Sequence, residues 1–459
     1  MMLRASDIAL LAGGVLQGED VAVDGVSADT RTLNAGALFV ALQGPNFDGH
    51  DFLAEARERG AAAALVSRGP VGAALTSIVV DDTRLALGRL AAGWRARYRI
   101  PLVAVTGSNG KTTVKEMIAS ILARCGTVLA TTGNLNNDIG VPLTLLRLRA
   151  EHRYAVIEMG ANHGGEIAYV AQLAQPTIGV VTNAGNAHLE GFGSAEGVAR
   201  GKGELFQALS SEGVAVLNAD DRFAGMWAEM IGARRTLRFG LERPADLSVV
   251  AGSERMEVGE GLATHFTLRM PGGELSLRLQ LSGRHNVLNA CAAAAAALAA
   301  GVGGEEIREG LAALAPVKGR LQLKLAAPGL RVLDDTYNAN PSSLRAALQV
   351  LSLVPGRRWL VLGDMAELGG NAAELHAEMA EAAHLAGVEQ LYSVGVLTRY
   401  TAERFGAGAR HFPAQEALIA ALREDLRGAA ALPITILVKG SRRMAMERVV
   451  AALAEGQPI

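Results

Sequence analysis

The chain has 459 residues, with 44 Lys and Arg against 46 Asp and Glu for a formal net charge of -2. Half of the residues are apolar and 20% are charged, which supplies material for several buried cores and excludes disorder as the main theme. The charge balance leaves no basic field for nucleic acid and no acidic tail, and two cysteines, Cys125 and Cys291, are too few for a disulfide framework or a zinc knuckle. The opening residues, MMLRASDIALLAGG, make a poor secretory signal because Asp7 interrupts the apolar stretch. The most apolar segment, 291–302, is too short to span a bilayer. A soluble cytoplasmic chain is expected, with no membrane insertion and no nucleic-acid partner.

In chain order, residues 1–99 read as a small mixed α/β unit, with strands predicted at 37–41, 64–66 and 78–80 and helices at 52–59 and 83–97. From 100 to 316, short β-branched runs alternate with Ala/Leu-rich stretches, the pattern of parallel α/β units. Strands are predicted there at 102–106, 154–158, 178–182 and 214–217, and helices at 112–124, 166–173, 196–209 and 286–300. A second α/β set, Rossmann-like in its order, fills 317–459, with strands at 330–333, 359–362, 390–394 and 434–438. Three domains are predicted: 1–99, 100–316 with a mainly parallel sheet, and 317–459.

The run LVAVT (102–106) leads into Gly107-Ser108-Asn109-Gly110-Lys111-Thr112-Thr113 and then a helix. Strand, Gly-rich turn and helix N-terminus together cradle polyphosphate, because glycines let backbone N–H groups approach the oxygens and the helix dipole favours negative charge. Lys111 would neutralise phosphate oxygens, and Thr112 would ligate Mg²⁺. The general pattern expects Gly at 105, where this chain has Val105, so the loop is a variant that is tighter at its start.

Ligands of doubly wound sheets sit beyond the carboxyl ends of the strands. Glu158 closes YAVIE at such an end. A strand-end Glu is ordinarily a cap or an ion pair, but beside a phosphate loop it can hold Mg²⁺ shared with the phosphates. His188 follows the predicted strand 178–182 and is a candidate ligand for a second metal, although imidazole is an unusual Mg²⁺ ligand. Lys202 reads as a surface lysine, and nothing in spacing or composition singles it out. Asn286 and Asn289, three apart on one helix face, can read an adenine edge, while Asn286 alone can simply cap the helix. Arg320 lies at the predicted joint, where it could reach a γ-phosphate on domain closure. Asp334-Asp335-Thr336-Tyr337-Asn338-Ala339-Asn340-Pro341, Gly363-Asp364-Met365-Ala366-Glu367-Leu368-Gly369 and Lys439-Gly440-Ser441-Arg442 each follow a strand, so the last domain has its own ligand-facing edge.

Taken together these segments resemble the Mur ligase family, the ATP-dependent amide-bond-forming enzymes of peptidoglycan precursor assembly, over essentially the whole chain. TGSNGKTT without Gly at 105 is that family's own form of the phosphate loop. The more specific strings are GNLNNDIGVPLT (133–144), EMGANHGGEI (158–167), AHLEGFGS (187–194), DDTYNANP (334–341) and GDMAELG (363–369). The resemblance is strongest to the members that add D-alanyl-D-alanine to UDP-N-acetylmuramoyl-tripeptide. It implies that Gly107 to Thr113 bind the ATP phosphates, that Thr112 and Glu158 hold one Mg²⁺ and His188 the other, and that Lys202 is the family's carbamylated lysine. It further implies adenine near Asn286 and Asn289, γ-phosphate near Arg320 and ribose near Asp335. Ser27, Asp29 and Arg31 would lie at the UDP-sugar end. Asn134, Asn136 and Asn137 would face the peptidyl substrate, with Tyr337 and Asn338 also on the substrate side, and the C-terminal domain would bring the dipeptide to a monomeric enzyme.

The implied chemistry is coherent. A carboxylate is a poor acyl donor because its leaving group would be oxide, so ATP first converts it to an acyl phosphate, which the dipeptide amine then attacks. No residue in the sequence identifies itself as the base for that amine. The competing readings are another amide ligase of the same fold, a P-loop kinase, and a non-catalytic nucleotide-binding regulator.

Overall fold

Runs of Val, Ile, Leu and Ala with no polar side chain between them cannot leave either face in water, and such runs form the centres of three sheets. The computed structural model describes residues 2–68, 75–185, 189–259, 261–428 and 433–454. The N-terminal sheet has the order Val15–Gln17, Thr76–Val79, Ala63–Val66, Leu38–Val40 and Val26–Ser27, with only Val15–Gln17 antiparallel to its neighbour. The central sheet is fully parallel, in the order Arg235–Phe239, Val214–Asn218, Ile178–Val181, Leu102–Thr106, Tyr154–Glu158 and Val128–Ala130. In the C-terminal sheet, Gln322–Ala327 is an antiparallel edge on five parallel strands, Leu330–Asp335, Ile434–Lys439, Arg357–Gly363, Gln390–Val394 and Ala409–Phe412.

Leu102–Thr106 shows how the period of two builds a sheet buried on both sides. Leu102 and Ala104 enter a core continuous with the N-terminal domain, which includes Ile8, Leu38 and Leu90. Val103 and Val105 enter the opposite core, formed with helices Lys111–Leu122 and Arg284–Ala299. Cys291 through Ala297 are all fully buried. With no side chain larger than Cys, that stretch brings its helix close to the sheet and to Lys111–Leu122.

The sequence reading assigned no strands between 218 and 285, and here the structure adds to it. Arg235–Phe239 extends the parallel sheet, and Ser248–Val249, Arg255–Val258, Leu262–Met270 and Gly273–Leu279 form a separate antiparallel sheet. Its outer face is solvated and carries charged residues such as Arg255, Glu274 and Arg278, so these segments lack the continuous apolar run of a doubly covered strand. Gln322–Ala327 and Ala409–Phe412, edge strands carrying Lys324 and Arg410, lack that run too, and Val128–Ala130 is an edge strand of only three residues.

Helix Gly304–Ala313 rests on Lys111–Leu122 at Gly310, where an added Cβ would collide with the Ile121 backbone, lying 2.7 Å from its nitrogen. The Ser120 hydroxyl donates to Gly310 O at 2.6 Å. Gly310→Ala is therefore expected to lower stability by about 1–3 kcal/mol through overpacking, read as a lower urea midpoint at unchanged slope. Among the described residues no helix is long and apolar enough to cross a membrane.

Candidate active site

Strand Leu102–Thr106 is the switch point of the central sheet, since the chain winds away from it on both sides, and the crevice for ligands opens at its carboxyl end. A cavity of about 670 Å³ lies there. Its walls are the phosphate loop, the ends of the neighbouring strands, the start of helix Arg284–Ala299 and the loops of the C-terminal sheet.

The loop is built by tight approach. Gly107 has φ +145°, and a Cβ on it would collide with the Thr182 hydroxyl. Gly110 has φ +80°, and a Cβ there would stand 2.6 Å from Asn289 Oδ1. Asn183 holds the turn: its backbone carbonyl accepts from Ser108 N–H and its Oδ1 from Asn109 N–H, each at 2.9 Å. Val105 stands where the general motif has Gly because it is still a sheet residue, in register with Glu158 and Val180 and fully buried. Lys111 donates to Gly107 O at 2.6 Å and Ser108 O at 3.2 Å. Enclosure pushes its ammonium below the ordinary lysine value and Arg320 adds to this, while Glu158 and Glu367 oppose it.

Glu158 is buried at the end of its strand. Asn136 Nδ2 donates to its Oε1 at 2.8 Å, while Oε2 is buried with no hydrogen-bond partner among the described residues. A carboxylate oxygen left unpaired beside a phosphate loop fits a cation ligand, because an unsatisfied buried charge is otherwise expensive.

Lys202 corrects the surface-lysine reading: it is 0% exposed. Its Nζ donates to Ala161 O at 3.0 Å, behind the cleft wall that Ala161 lines, and lies 5.2 Å from the Phe192 ring centroid. Burial, then the charge of Lys111, pushes its pKa down to about 7. Helix Ala195–Gln207 places it there, with glycines on either side, Gly201 and Gly203, packed against Phe192 and Trp227. His188 lies outside the described residues.

Asn286 and Asn289 are buried on one helix face, with Asn289 Nδ2 donating to Asn286 Oδ1 at 3.2 Å and Asn286 Nδ2 to Ser282 O at 2.8 Å. Arg320 reaches the loop from the other side. Its Nη2 is 3.4 Å from Thr112 Oγ1, its guanidinium stacks 4.1 Å from the Tyr337 ring centroid, and its buried Nε has no partner among the described residues. Asn340 Nδ2 donates to Asn109 Oδ1 at 2.8 Å, and Asn109 Nδ2 donates to Ser342 Oγ at 2.9 Å, which ties the C-terminal domain to the phosphate loop.

The cleft thus collects Ser108 to Thr113, Asn136, Asn137, Glu158, Asn286, Asn289, Arg320, Asp335, Tyr337 and Asn338. Gly107 shapes the turn from behind. Asn137 also caps the following helix, its Oδ1 accepting from Gly140 N–H at 2.8 Å. Asn134, Ser27, Asp29 and Arg31 do not line this cavity. Ser27 instead borders a separate 300 Å³ cavity with Asp24, Arg147 and Arg149, and Asp29 pairs with the exposed Arg31 at 2.7 Å. Sequence reasoning placed Lys439 in a strand-end segment without a role; it is buried and ion-paired to Asp335 while donating to Asn338 O at 3.0 Å. Glu367 was likewise named only within the strand-end segment 363–369 and given no role, and His285, whose pKa burial lowers to about 4, was given none either. Each of the two strand-end positions follows an apolar strand, which was the signal for them; His285 carries no local mark.

A parallel sheet with a phosphate loop at its switch point, closed by a second α/β domain tied to that loop, defines a multidomain phosphate-binding α/β protein. The chain belongs to the Mur ligase family. The family's middle domain matches residues 105–297, its glutamate ligase domain 319–442, and the domain described as "Mur ligase family, catalytic domain" 22–95. The chain is 48% identical over 450 residues to the UDP-N-acetylmuramoyl-tripeptide--D-alanyl-D-alanine ligase of Escherichia coli K12, covering 98% of each chain. To the enzyme of the same name from Bacillus subtilis 168 it is 36% identical, again over 98% of each. Among solved structures, MurF from Acinetobacter baumannii superimposes with a TM-score of 0.92 at 37% identity, covering 99% of this chain and 100% of that one. MurF from Thermotoga maritima in complex with ADP gives 0.82 at 27% identity, covering 95% and 99%.

Proposed function

We propose that this protein ligates D-alanyl-D-alanine to UDP-N-acetylmuramoyl-tripeptide with ATP, releasing the pentapeptide product, ADP and phosphate for peptidoglycan precursor synthesis in the cytoplasm. The observation that carries the reading is the convergence, in one cleft, of the phosphate loop, Glu158 with its unpaired oxygen, and Arg320 from the neighbouring domain. It occurs in a chain 48% identical along its length to an enzyme of that name.

The tripeptide carboxylate attacks the γ-phosphorus of ATP, and ADP departs to leave an acyl phosphate. Two anions must approach, so positive charge has to be fixed in advance. Lys111 and Arg320 supply it from opposite sides of the loop. Thr112 and Glu158 are the residues that would hold Mg²⁺, with His188 expected for a second ion; the metal would supply further neutralisation between the phosphates. Lys202 has the chemistry a carbamate needs, a shielded amine poised to be neutral near pH 7. Asn286 and Asn289 would meet adenine, and Asp335 the ribose. Asn134, Asn136, Asn137, Tyr337 and Asn338 would orient the peptidyl end, while Ser27, Asp29 and Arg31 belong to the UDP-sugar end in residues 1–99. The dipeptide amine then displaces phosphate from the acyl carbon.

Phosphate release with UDP-muramoyl tripeptide, ATP and D-Ala-D-Ala, each omitted in turn, tests the reading. Full release is expected only with all three present, and turnover with UDP-muramoyl dipeptide or folate in place of the tripeptide would overturn it. Glu158→Ala is expected to lower turnover by about 10²-fold or more while raising the Mg²⁺ concentration needed for half-maximal activity. Magnesium titration of the ADP-release rate checks this.

A further inference from the structure

We propose that Lys115, a buried lysine that does not line the cleft, is a positioning residue for Glu158: its ammonium fixes the root of the loop that holds the Glu158 carboxylate in place. This rests on the reading above that Thr112 and Glu158 would hold Mg²⁺, and it assigns a part to a buried charge that the ligation scheme does not use.

The first observation is the burial of that charge. Lys115 lies one turn beyond Lys111 on helix Lys111–Leu122 and is 2% exposed. An ammonium withdrawn from water is costly unless it is well bonded, and an apolar side chain would fill the same place without that cost. The amine pairs with the half-exposed Glu116, and its Nζ donates to Thr131 O at 2.9 Å. Glu116 neutralises the charge. The bond to Thr131 ties the helix to the end of Val128–Ala130, an edge strand of three residues that is held by the sheet on one side only.

The second observation is where that tie leads. Thr131 is buried, its N–H donates to Val156 O at 3.0 Å, and its Oγ1 accepts from Glu158 N–H at 2.9 Å. Further along the same loop, Asn136 Nδ2 donates to Glu158 Oε1 at 2.8 Å, while Asn136 O accepts from Gly160 N–H at 2.7 Å. One loop therefore grips Glu158 twice, at the backbone and at the carboxylate, and leaves Oε2 without a partner among the described residues. Lys115 anchors the root of that loop to the helix whose first turn carries Lys111 and Thr112. A displacement of Thr131 would shift both grips relative to Thr112, so the placement of the two proposed cation ligands depends on a bond made behind them.

The test uses the purified full-length chain and calorimetry of ADP binding across a magnesium titration, which requires no turnover. Lys115→Met keeps the bulk of the side chain and removes its ammonium. It is expected to raise the Mg²⁺ concentration for half-maximal enhancement of ADP binding about tenfold or more, with metal-free ADP binding at the wild-type level and Lys115→Arg recovering part of the loss. Thr131→Val, which keeps the carbonyl and removes the hydroxyl, should raise that concentration as well. The double variant should show less than the product of the two single effects, because both act along one chain of bonds. Wild-type magnesium dependence in Lys115→Met would overturn the assignment. So would an equal loss of metal-free ADP binding, which would make Lys115 a support of the phosphate loop alone, or a double variant whose effect equals the product. Should Lys115→Met fail to fold, Thr131→Val decides by the same two measurements. ADP binding by the wild type that ignores Mg²⁺ would sink the metal reading of Glu158, and this assignment with it.

Discussion

Lys111→Ala is expected to abolish ADP formation while leaving the protein folded. The ammonium sits within the loop proposed to grip the phosphates and is already desolvated by the cleft, so its attraction for an incoming polyphosphate is little screened. Loss of one pre-placed charge of this kind lowers turnover by about 10²–10³-fold. Stability should change little, because the side chain's bonds are to two loop carbonyls, Gly107 O and Ser108 O, rather than to a core. Unchanged far-UV circular dichroism and melting temperature, together with lost ADP release, is the expected pair of results. Full ADP release by the pure variant, still dependent on tripeptide and dipeptide, would refute the role.

Lys202→Ala is expected to be nearly inactive and partly recovered by short carboxylates such as acetate, which can occupy the space of a carbamate. The chemistry follows from burial. Carbon dioxide adds only to a neutral amine, and a lysine held near 10.5 would almost never be neutral at pH 7, whereas one pushed down to about 7 is neutral about half the time. The sign of the pH effect is fixed by the same shift. The folded-state value lies below the unfolded one, so between about pH 7 and 10.5 the unfolded chain binds more protons at this site. The penalty for burying Lys202 is complete below about pH 7 and fades as the pH rises toward 10.5. Activity should climb through neutrality and fall in carbon-dioxide-depleted buffer. Because the fully buried stem also packs, Lys202→Met is the cleaner variant, keeping the volume and removing the amine. No recovery by carboxylates, together with no carbon dioxide adduct on the wild type by mass spectrometry under mild conditions, would leave Lys202 as an ordinary buried lysine.

The same contrast separates what was legible in the residues from what was not. Leu102–Thr106, Tyr154–Glu158 and Ile178–Val181 can be read directly, because the interior of a strand covered on both faces is apolar and the run stops where polar groups begin. The phosphate loop is legible for a related reason: its glycines, lysine and threonine act within seven consecutive positions, and their geometry is local. The strands of 248–279 were not, since a half-solvated strand looks like loop until its partner is known.

By itself, then, the sequence determined the α/β class, the phosphate-binding turn and a Mur-type ligase, all of which reside in short contiguous strings. Only the tertiary structure decided that Lys202 is buried behind Ala161, that one oxygen of Glu158 is left unpaired, and that Arg320 and Asn340 meet a loop some 200 residues away. The reason is that solvent exclusion and charge pairing are properties of packed surfaces contributed by distant segments, and no single segment carries them until the domains are folded against one another.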